Sequence, residues 1–259
     1  MSRPDSFPPG TPSWVDLASP NPDESAAFYG GLFGWKAEDT GSAEETGGYR
    51  MFSKDGEYVA GLAPIMNQGQ PPAWTTYVSV EDADDTTTKV TGAGGQAMMT
   101  PLDVTDVGRM AAFVDPTGAV FAVWQPRRHK GAGIVNEPGS LSWNELQTRN
   151  AGGARSFYEA VFGWGVEEHA LEHRTYYEWK LGERSVGGML EMGPEFPPEV
   201  PPNWFAYFGV EDCDAALQAA TDLGARQMME PMEVEAGRFG AVMDPHGAPF
   251  AVIALANPD

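Results

Sequence analysis

The chain repeats itself, and this constrains its fold more than any other feature, because a duplicated pattern must fold as two similar units. WVDLASPNPDESAAFYGGLFGW (Trp14 to Trp35) aligns without gaps on WNELQTRNAGGARSFYEAVFGW (Trp143 to Trp164), with 8 of 22 positions identical. PPAWTTYVSVEDAD recurs as PPNWFAYFGVEDCD, and GRMAAFVDPTGAVFAV recurs as GRFGAVMDPHGAPFAV, in the same order. A length of 259 residues matches about two domains of ordinary size. We place the first at 11–126 and the second at 140–257. The stretch between them, 127–139, carries Arg127, Arg128 and Lys130 with Gly and Pro and has no helical or strand periodicity, so it reads as a solvated linker. Each domain then holds a complete set of strand and turn signals, and separated fragments are expected to fold.

Within each copy the hydrophobic period switches between 2 and 3.6. WVDLA alternates as a strand does. Asn21, Pro22, Asp23 and Glu24 then supply a cap, a first-turn proline and acidic residues suited to a helix N-terminus. A short helix burying Phe28, Leu32 and Phe33 follows, then further alternating runs. Asp115-Pro116-Thr117-Gly118 and Asp244-Pro245-His246-Gly247 are tight turns between the last two strands of each copy. The Gly-rich run 91–95 follows a helix and is a helix stop, not a phosphate loop. The pattern is strand, helix and three strands, twice per copy, in an α+β fold.

Sixteen Lys+Arg against 37 Asp+Glu leave a net charge of -21, which repels phosphate backbones and anionic bilayers. Neither nucleic acid nor membrane is an expected partner. The single cysteine, Cys213, asks for no oxidising compartment, and the N-terminal segment lacks the apolar core of a signal peptide, so a cytoplasmic location is expected. Exposed sheet edges make the expected state a monomer or homodimer. No nucleophile elbow, Walker motif, HExxH or dinucleotide fingerprint is present, and no cofactor is expected.

The order strand, FYGGLFGW, VEDAD, VDPTGAVFAV resembles the vicinal oxygen chelate superfamily, which includes glyoxalase I, extradiol dioxygenases and the bleomycin and fosfomycin resistance proteins. The tandem arrangement is similar to actinobacterial glyoxalase-like proteins. The resemblance implies tandem domains, each of two βαβββ units forming a curved sheet cup, which in catalytic members holds a divalent metal. It also implies where the ligands would stand. The first-strand position falls on Trp14 and Trp143, and the last-strand position on Ala122 and Ala251. The remaining two fall on Gly61 and Thr75 in copy 1 and on Gly187 and Phe205 in copy 2. These residues supply no cation shell, so no metal is expected there. His169 and His173, beside Glu167, Glu168 and Glu172, offer a displaced site, but their setting reads as solvated polar side chains.

Strand alternation puts Asp16 on the face of Trp14 and Glu145 on the face of Trp143. Each cup is expected to present an indole and a carboxylate, with Thr75, Tyr77 and Trp124 in copy 1 and Phe205 and Tyr207 in copy 2. Such walls suit a flat, partly apolar small molecule. A one-residue change of phase would instead turn both carboxylates to solvent, and the tryptophans could equally fill a closed core. Arg109 and Arg238 are expected to pair with Asp115 and Asp244, and Met98, Met99, Met228 and Met229 to serve as strand packing. The leading expectation is a metal-free protein, similar to bleomycin resistance proteins, that binds a small aromatic or amphipathic ligand in its cups. Two alternatives stand beside it: a glyoxalase-like lyase or hydroxylase with Asp16 or Glu145 as catalytic base, and an acidic interaction protein.

Overall fold

The computed structural model describes residues 3–171 and 174–257. Its first copy begins with β1 (Pro12–Ser19), α1 (Pro22–Phe33), β2 (Lys36–Asp39), the one-turn α2 (Ala43–Thr46), β3 (Arg50–Lys54) and β4 (Glu57–Pro64). Its second unit is β5 (Ala73–Ser79), α3 (Ala83–Gly92), β6 (Gln96–Val104), β7 (Gly108–Val114) and β8 (Val120–Pro126). The second copy repeats the plan with β9 (Leu141–Thr148), α4 (Ala151–Phe162), β10 (Gly165–Ala170), β11 (Thr175–Leu181) and β12 (Arg184–Glu191). It ends with β13 (Asn203–Gly209), α5 (Cys213–Asp222), β14 (Arg226–Gln227), β15 (Met232–Val234), β16 (Gly237–Met243) and β17 (Pro249–Leu255).

The two units of each copy join in one mixed sheet, ordered β2-β3-β4-β1-β5-β8-β7-β6 in copy 1 and β10-β11-β12-β9-β13-β17-β16-β14 in copy 2, with β15 added on β16. The seam is the antiparallel pair β1/β5 or β9/β13, flanked by parallel pairs. No strand crosses between the copies among the described residues.

The helices cover one face of each sheet, and there the copies share their core. Phe28, Tyr29, Phe33 and Trp35 of copy 1 pack with Phe208, Leu217 and Phe250 of copy 2. In the mirrored cluster Phe113 and Phe121 of copy 1 meet Phe157, Tyr158, Trp164 and Trp204 of copy 2. The first unit of each copy is thus backed by the second unit of the other.

The residues that recur most clearly in sequence build this joint. Tyr29 OH donates to Asp244 Oδ2 (3.0 Å) and accepts from Trp74 Nε1 (3.1 Å). Its counterpart Tyr158 OH donates to Asp115 Oδ2 (2.9 Å) and accepts from Trp204 Nε1 (2.8 Å). Each aspartate's other oxygen closes its own turn, on the amides of Thr117 and Ala119 or of His246 and Ala248. Trp35 Nε1 donates to Gly139 O and Trp164 Nε1 to Gly10 O, both at 2.8 Å.

Three expectations change. Segment 127–139 is no solvated tether: Ala132, Ile134 and Gly139 are buried, and its backbone amides at Ala132 and Gly133 bond to Ser13 O and Tyr58 O. Arg109 and Arg238 do form ion pairs, but with Asp84 and Asp103 and with Asp214 and Glu233, because Asp115 and Asp244 are committed to the joint. Met98 and Met228 are exposed, since bulged β6 and the broken β14/β15 edge lift them off the sheet. Other readings agree with the structure: Asn21 caps α1, and α3 stops at Gly92 with Gly94 in the left-handed region. No helix among the described residues is long and apolar enough to cross a membrane.

Candidate ligand cups

The face of each sheet away from the helices, the cup face, is aromatic. On β1, Val15 and Leu17 are fully buried against the helices, which turns Trp14 and Asp16 to the cup. Register fixes their neighbours: Trp14 lies opposite Tyr77, and Tyr77 beside Ala122, while Asp16 has Gly61 on one side and Thr75 on the other. In copy 2, Trp143 lies opposite Tyr207 with Ala251 beyond, and Glu145 lies between Gly188 and Phe205. All nine residues singled out in the sequence therefore belong to the cups, including Trp124, which shares the face of Ala122 and packs with Trp14 and Tyr77.

A tyrosine at the start of the third strand of each copy, Tyr49 just before β3 and Tyr176 in β11, is not anticipated from the sequence and completes each site. Asp16 Oδ1 accepts from Trp14 Nε1 and from Tyr49 OH, each at 2.7 Å, and the Tyr77 hydroxyl is a further partner. Glu145 Oε1 accepts from Tyr207 OH and Gln147 Nε2, each at 3.1 Å. Tyr176 hydrogen-bonds to the same carboxylate and accepts from Trp143 Nε1 at 2.9 Å. Both copies thus hold one carboxylate among one indole and two phenols.

The glycine beside each carboxylate makes this arrangement fit. A β-carbon at Gly61 would collide with Asp16 Oδ1 and Tyr49 OH, and one at Gly188 with Tyr176 OH. Gly188, not Gly187, is the cup residue of copy 2: the two hairpins pair in the same register, with bulges at equivalent places after Phe52 and Trp179, whereas the turn glycines Gly56 and Gly182 that align in sequence are out of step by one. Gly187 points instead toward Asn144 O and Trp179 on the helix side.

Burial dominates the electrostatics. Desolvation raises the pKa of Asp16, and the bonds from Tyr49, Tyr77 and Trp14 offset it only in part. Glu145 is raised for the same reason, against bonds from Gln147, Tyr207 and Tyr176. Tyr49, Tyr77 and Tyr207 are pushed well above the usual phenol value by burial and then by the neighbouring carboxylate, so they act as hydrogen-bond donors and not as bases.

The four strand positions of each cup do not fit a divalent cation. Trp14, Gly61, Thr75 and Ala122 offer one hydroxyl among them, and Trp143, Gly188, Phe205 and Ala251 offer no donor suited to a metal. A separate group lies on the outer part of the copy 2 cup face, where ligand atoms of Glu167, His169 and Glu178 fall within 4.8 Å of one another. Lys180 already bridges Glu167 (3.0 Å) and Glu178 (3.3 Å), and His169 Nε2 bonds Glu178 at 2.9 Å. Burial opposes it, but bonds from Ser185, Lys180 and His169 hold Glu178 below the ordinary carboxylate range. These side chains pair with one another instead of being simply solvated. Glu172 and His173 lie outside the described residues.

Comparison with known proteins agrees with this architecture. Residues 11–123 match the family model of the glyoxalase/bleomycin resistance protein/dioxygenase superfamily, and residues 145–253 match a glyoxalase-like domain. The chain is 42% identical over 263 residues to the anthracycline biosynthesis protein DnrV of Streptomyces peucetius, covering 96% of this chain and 94% of that one. It is 41% identical to the putative glyoxylase CFP32 of Mycobacterium tuberculosis, covering 94% of each. Among solved structures it is similar to the Mn(II)-bound glyoxalase from Novosphingobium aromaticivorans (TM-score 0.64, 17% identity, 100% and 87% covered). It is also similar to the 2,3-dioxygenase LapB from Pseudomonas sp. KL28 (TM-score 0.66, 15% identity, 95% and 93% covered). At those identities the likeness shows the fold alone. The chain belongs to the glyoxalase/bleomycin resistance protein/dioxygenase superfamily, with two such domains in tandem.

Proposed function

We propose that the protein binds a flat, hydroxylated aromatic small molecule on its cup face, without a metal at the four strand positions. One observation carries this reading: both copies gather a desolvated carboxylate, an indole and two phenols on the cup face, beside strand positions that offer no metal shell. Indole and phenol faces suit stacking on a planar ring, and the carboxylate accepts from a ligand hydroxyl or ammonium group. Relatives named for anthracycline biosynthesis support planar polycyclic aromatics as the class to test first.

A second reading rests on the raised pKa of Asp16 and Glu145. A carboxylate desolvated in this way is a stronger base when ionised, suited to moving a proton on a bound hydroxyaromatic. The test is titration of the intact protein with a panel of planar hydroxyaromatics, followed by tryptophan fluorescence. A saturable change, weakened in Asp16→Asn or Glu145→Gln, supports binding. Absence of any saturable change across the panel refutes it. Multiple turnover that either substitution abolishes while binding persists selects the enzyme reading.

A further inference from the structure

The two cups share a plan but differ at one end. In cup 1 the chain leaving β8 turns back over the cup, and the His129 ring stands edge-on to Trp14 with centroids 4.5 Å apart. His129 also lies 5.6 Å from the Trp124 ring, and its carbonyl accepts from Trp124 Nε1 at 2.9 Å. Phe7 and Val107 pack on the same cluster, leaving Trp14 only 3% exposed. Burial lowers the His129 pKa to about 4, so the plug is neutral at physiological pH.

At the matching place in cup 2, Ile253 stands where cup 1 has Trp124: Gly209 is paired with Ile253 as Ser79 is with Trp124. A hollow of about 280 Å3 opens at this strand end, between Gly209–Glu211, Ile253, Leu255 and the turn at Asn136–Pro138. Copy 1 also has a hollow at the corresponding Val80–Glu81 end, but that one runs to the helix side, along Asp85 and Thr86 of α3 and Val161 and Phe162 of α4, and includes neither Trp124 nor another cup residue. Ser142 Oγ, buried and without a hydrogen-bond partner, stands beside Gly209, and its counterpart Ser13 Oγ in copy 1 is likewise buried and unpaired, so this feature is common to both copies. Trp143, next in the chain, is half-buried, and no ring stacks on it among the described residues. The cups also differ in chemistry. Opposite the carboxylate-flanking glycine, cup 1 has Met51 and cup 2 has Glu178, bonded to His169 and Lys180.

We infer that the second cup is the working one: a planar hydroxyaromatic enters it through the hollow at Gly209 and Ile253 and lies against Trp143 and Glu145, while cup 1 is closed by its own His129 segment. The Glu178–His169 pair then supplies a polar contact at the outer end of the ligand, where cup 1 has Met51. This rests on the binding reading proposed above.

The experiment uses the full chain and alizarin, a planar dihydroxyanthraquinone, with calorimetry for stoichiometry and fluorescence for affinity. We expect one alizarin per chain. Ile253→Trp, which fills the hollow as Trp124 fills cup 1, and Trp143→Phe should each weaken binding by about tenfold or more, while Trp14→Phe changes it less than about twofold. Leu255→Trp, at a partly exposed site on the same rim, is the companion variant should Ile253→Trp melt abnormally. Two equivalent sites per chain, or binding lost in Trp14→Phe and kept in both rim variants, overturns the assignment to cup 2 and leaves the binding reading intact. No saturable binding by the wild type removes both.

Discussion

Substituting Tyr158 by Phe removes one hydroxyl and tests whether the copies are one folding unit. That hydroxyl donates to Asp115 of the other copy at 2.9 Å and accepts from Trp204 at 2.8 Å, and all three side chains are buried. Losing a hydrogen bond to a carboxylate costs about 1.5–3 kcal/mol, and a buried indole N–H left without an acceptor adds about 1–3 kcal/mol. Phe keeps the ring and its stacking on Trp164, so no cavity contribution enters. The expected cost is therefore roughly 3–5 kcal/mol, or a Tm lower by roughly 6–20 °C for a chain of this size. Differential scanning calorimetry should show a single transition, moved as a whole, because the lost bond ties the two copies together. Tyr158→Phe combined with Trp204→Phe should cost less than the sum of the single substitutions, since the orphaned N–H is then gone. A Tm change below about 2 °C, or a thermogram that splits so that only one half moves, would refute the shared joint.

Three further outcomes follow from the same structure. Fragments ending near Gly131 or beginning near Pro138, which the sequence suggests should fold, are expected to lose cooperative melting and bind a hydrophobic dye, because each keeps half of both shared clusters; a sharp independent transition in either fragment sinks this. Asp16→Asn and Glu145→Gln should gain stability over the wild type as pH rises: the folded-state pKa values lie above 3.8 and 4.5, so the carboxylates favour folding when protonated, and this contribution is lost as pH climbs through the raised values. A Tm difference that is flat from pH 4 to pH 7 contradicts the desolvation argument. Gly188→Ala should displace Tyr176, blue- or red-shifting Trp143 emission while the fold persists; an unchanged spectrum and an unchanged crystal position of Tyr176 would show that the glycine is dispensable.

How much could be seen in advance depended on whether a signal was local. Caps, turns and strand phase are written within a few residues of where they act, which is why Asn21, the DPxG turns and the cup-facing pairs Trp14/Asp16 and Trp143/Glu145 were legible. Tyr49 and Tyr176 were not. Each lies at the start of the third strand, more than thirty residues from its carboxylate, beyond a connection whose length differs between the copies, so the offset that relates Asp16 to Glu145 no longer relates Tyr49 to Tyr176. The partners of Tyr29 and Tyr158 were hidden for the same reason, since each bond spans the two copies.

This division explains what the duplication preserved. The FY…FGW and DPxG residues recur because they form the joint behind the sheets: Tyr29 needs Asp244 of the other copy, and Tyr158 needs Asp115. Altering one half of such a pair leaves a buried polar group unpaired, so the joint constrains both copies at once. The cup residues carry no such reciprocal demand. Each sheet closes its cup with its own strands, so Trp124 can face Ile253 across the duplication, and Met51 can face Glu178, without cost to the fold. Substitutions on the cup face should therefore change ligand binding far more than melting temperature, and those at the joint the reverse. A deep loss of stability from Trp143→Phe, with Tyr158→Phe nearly neutral, would show that the working and the supporting faces had been assigned the wrong way round.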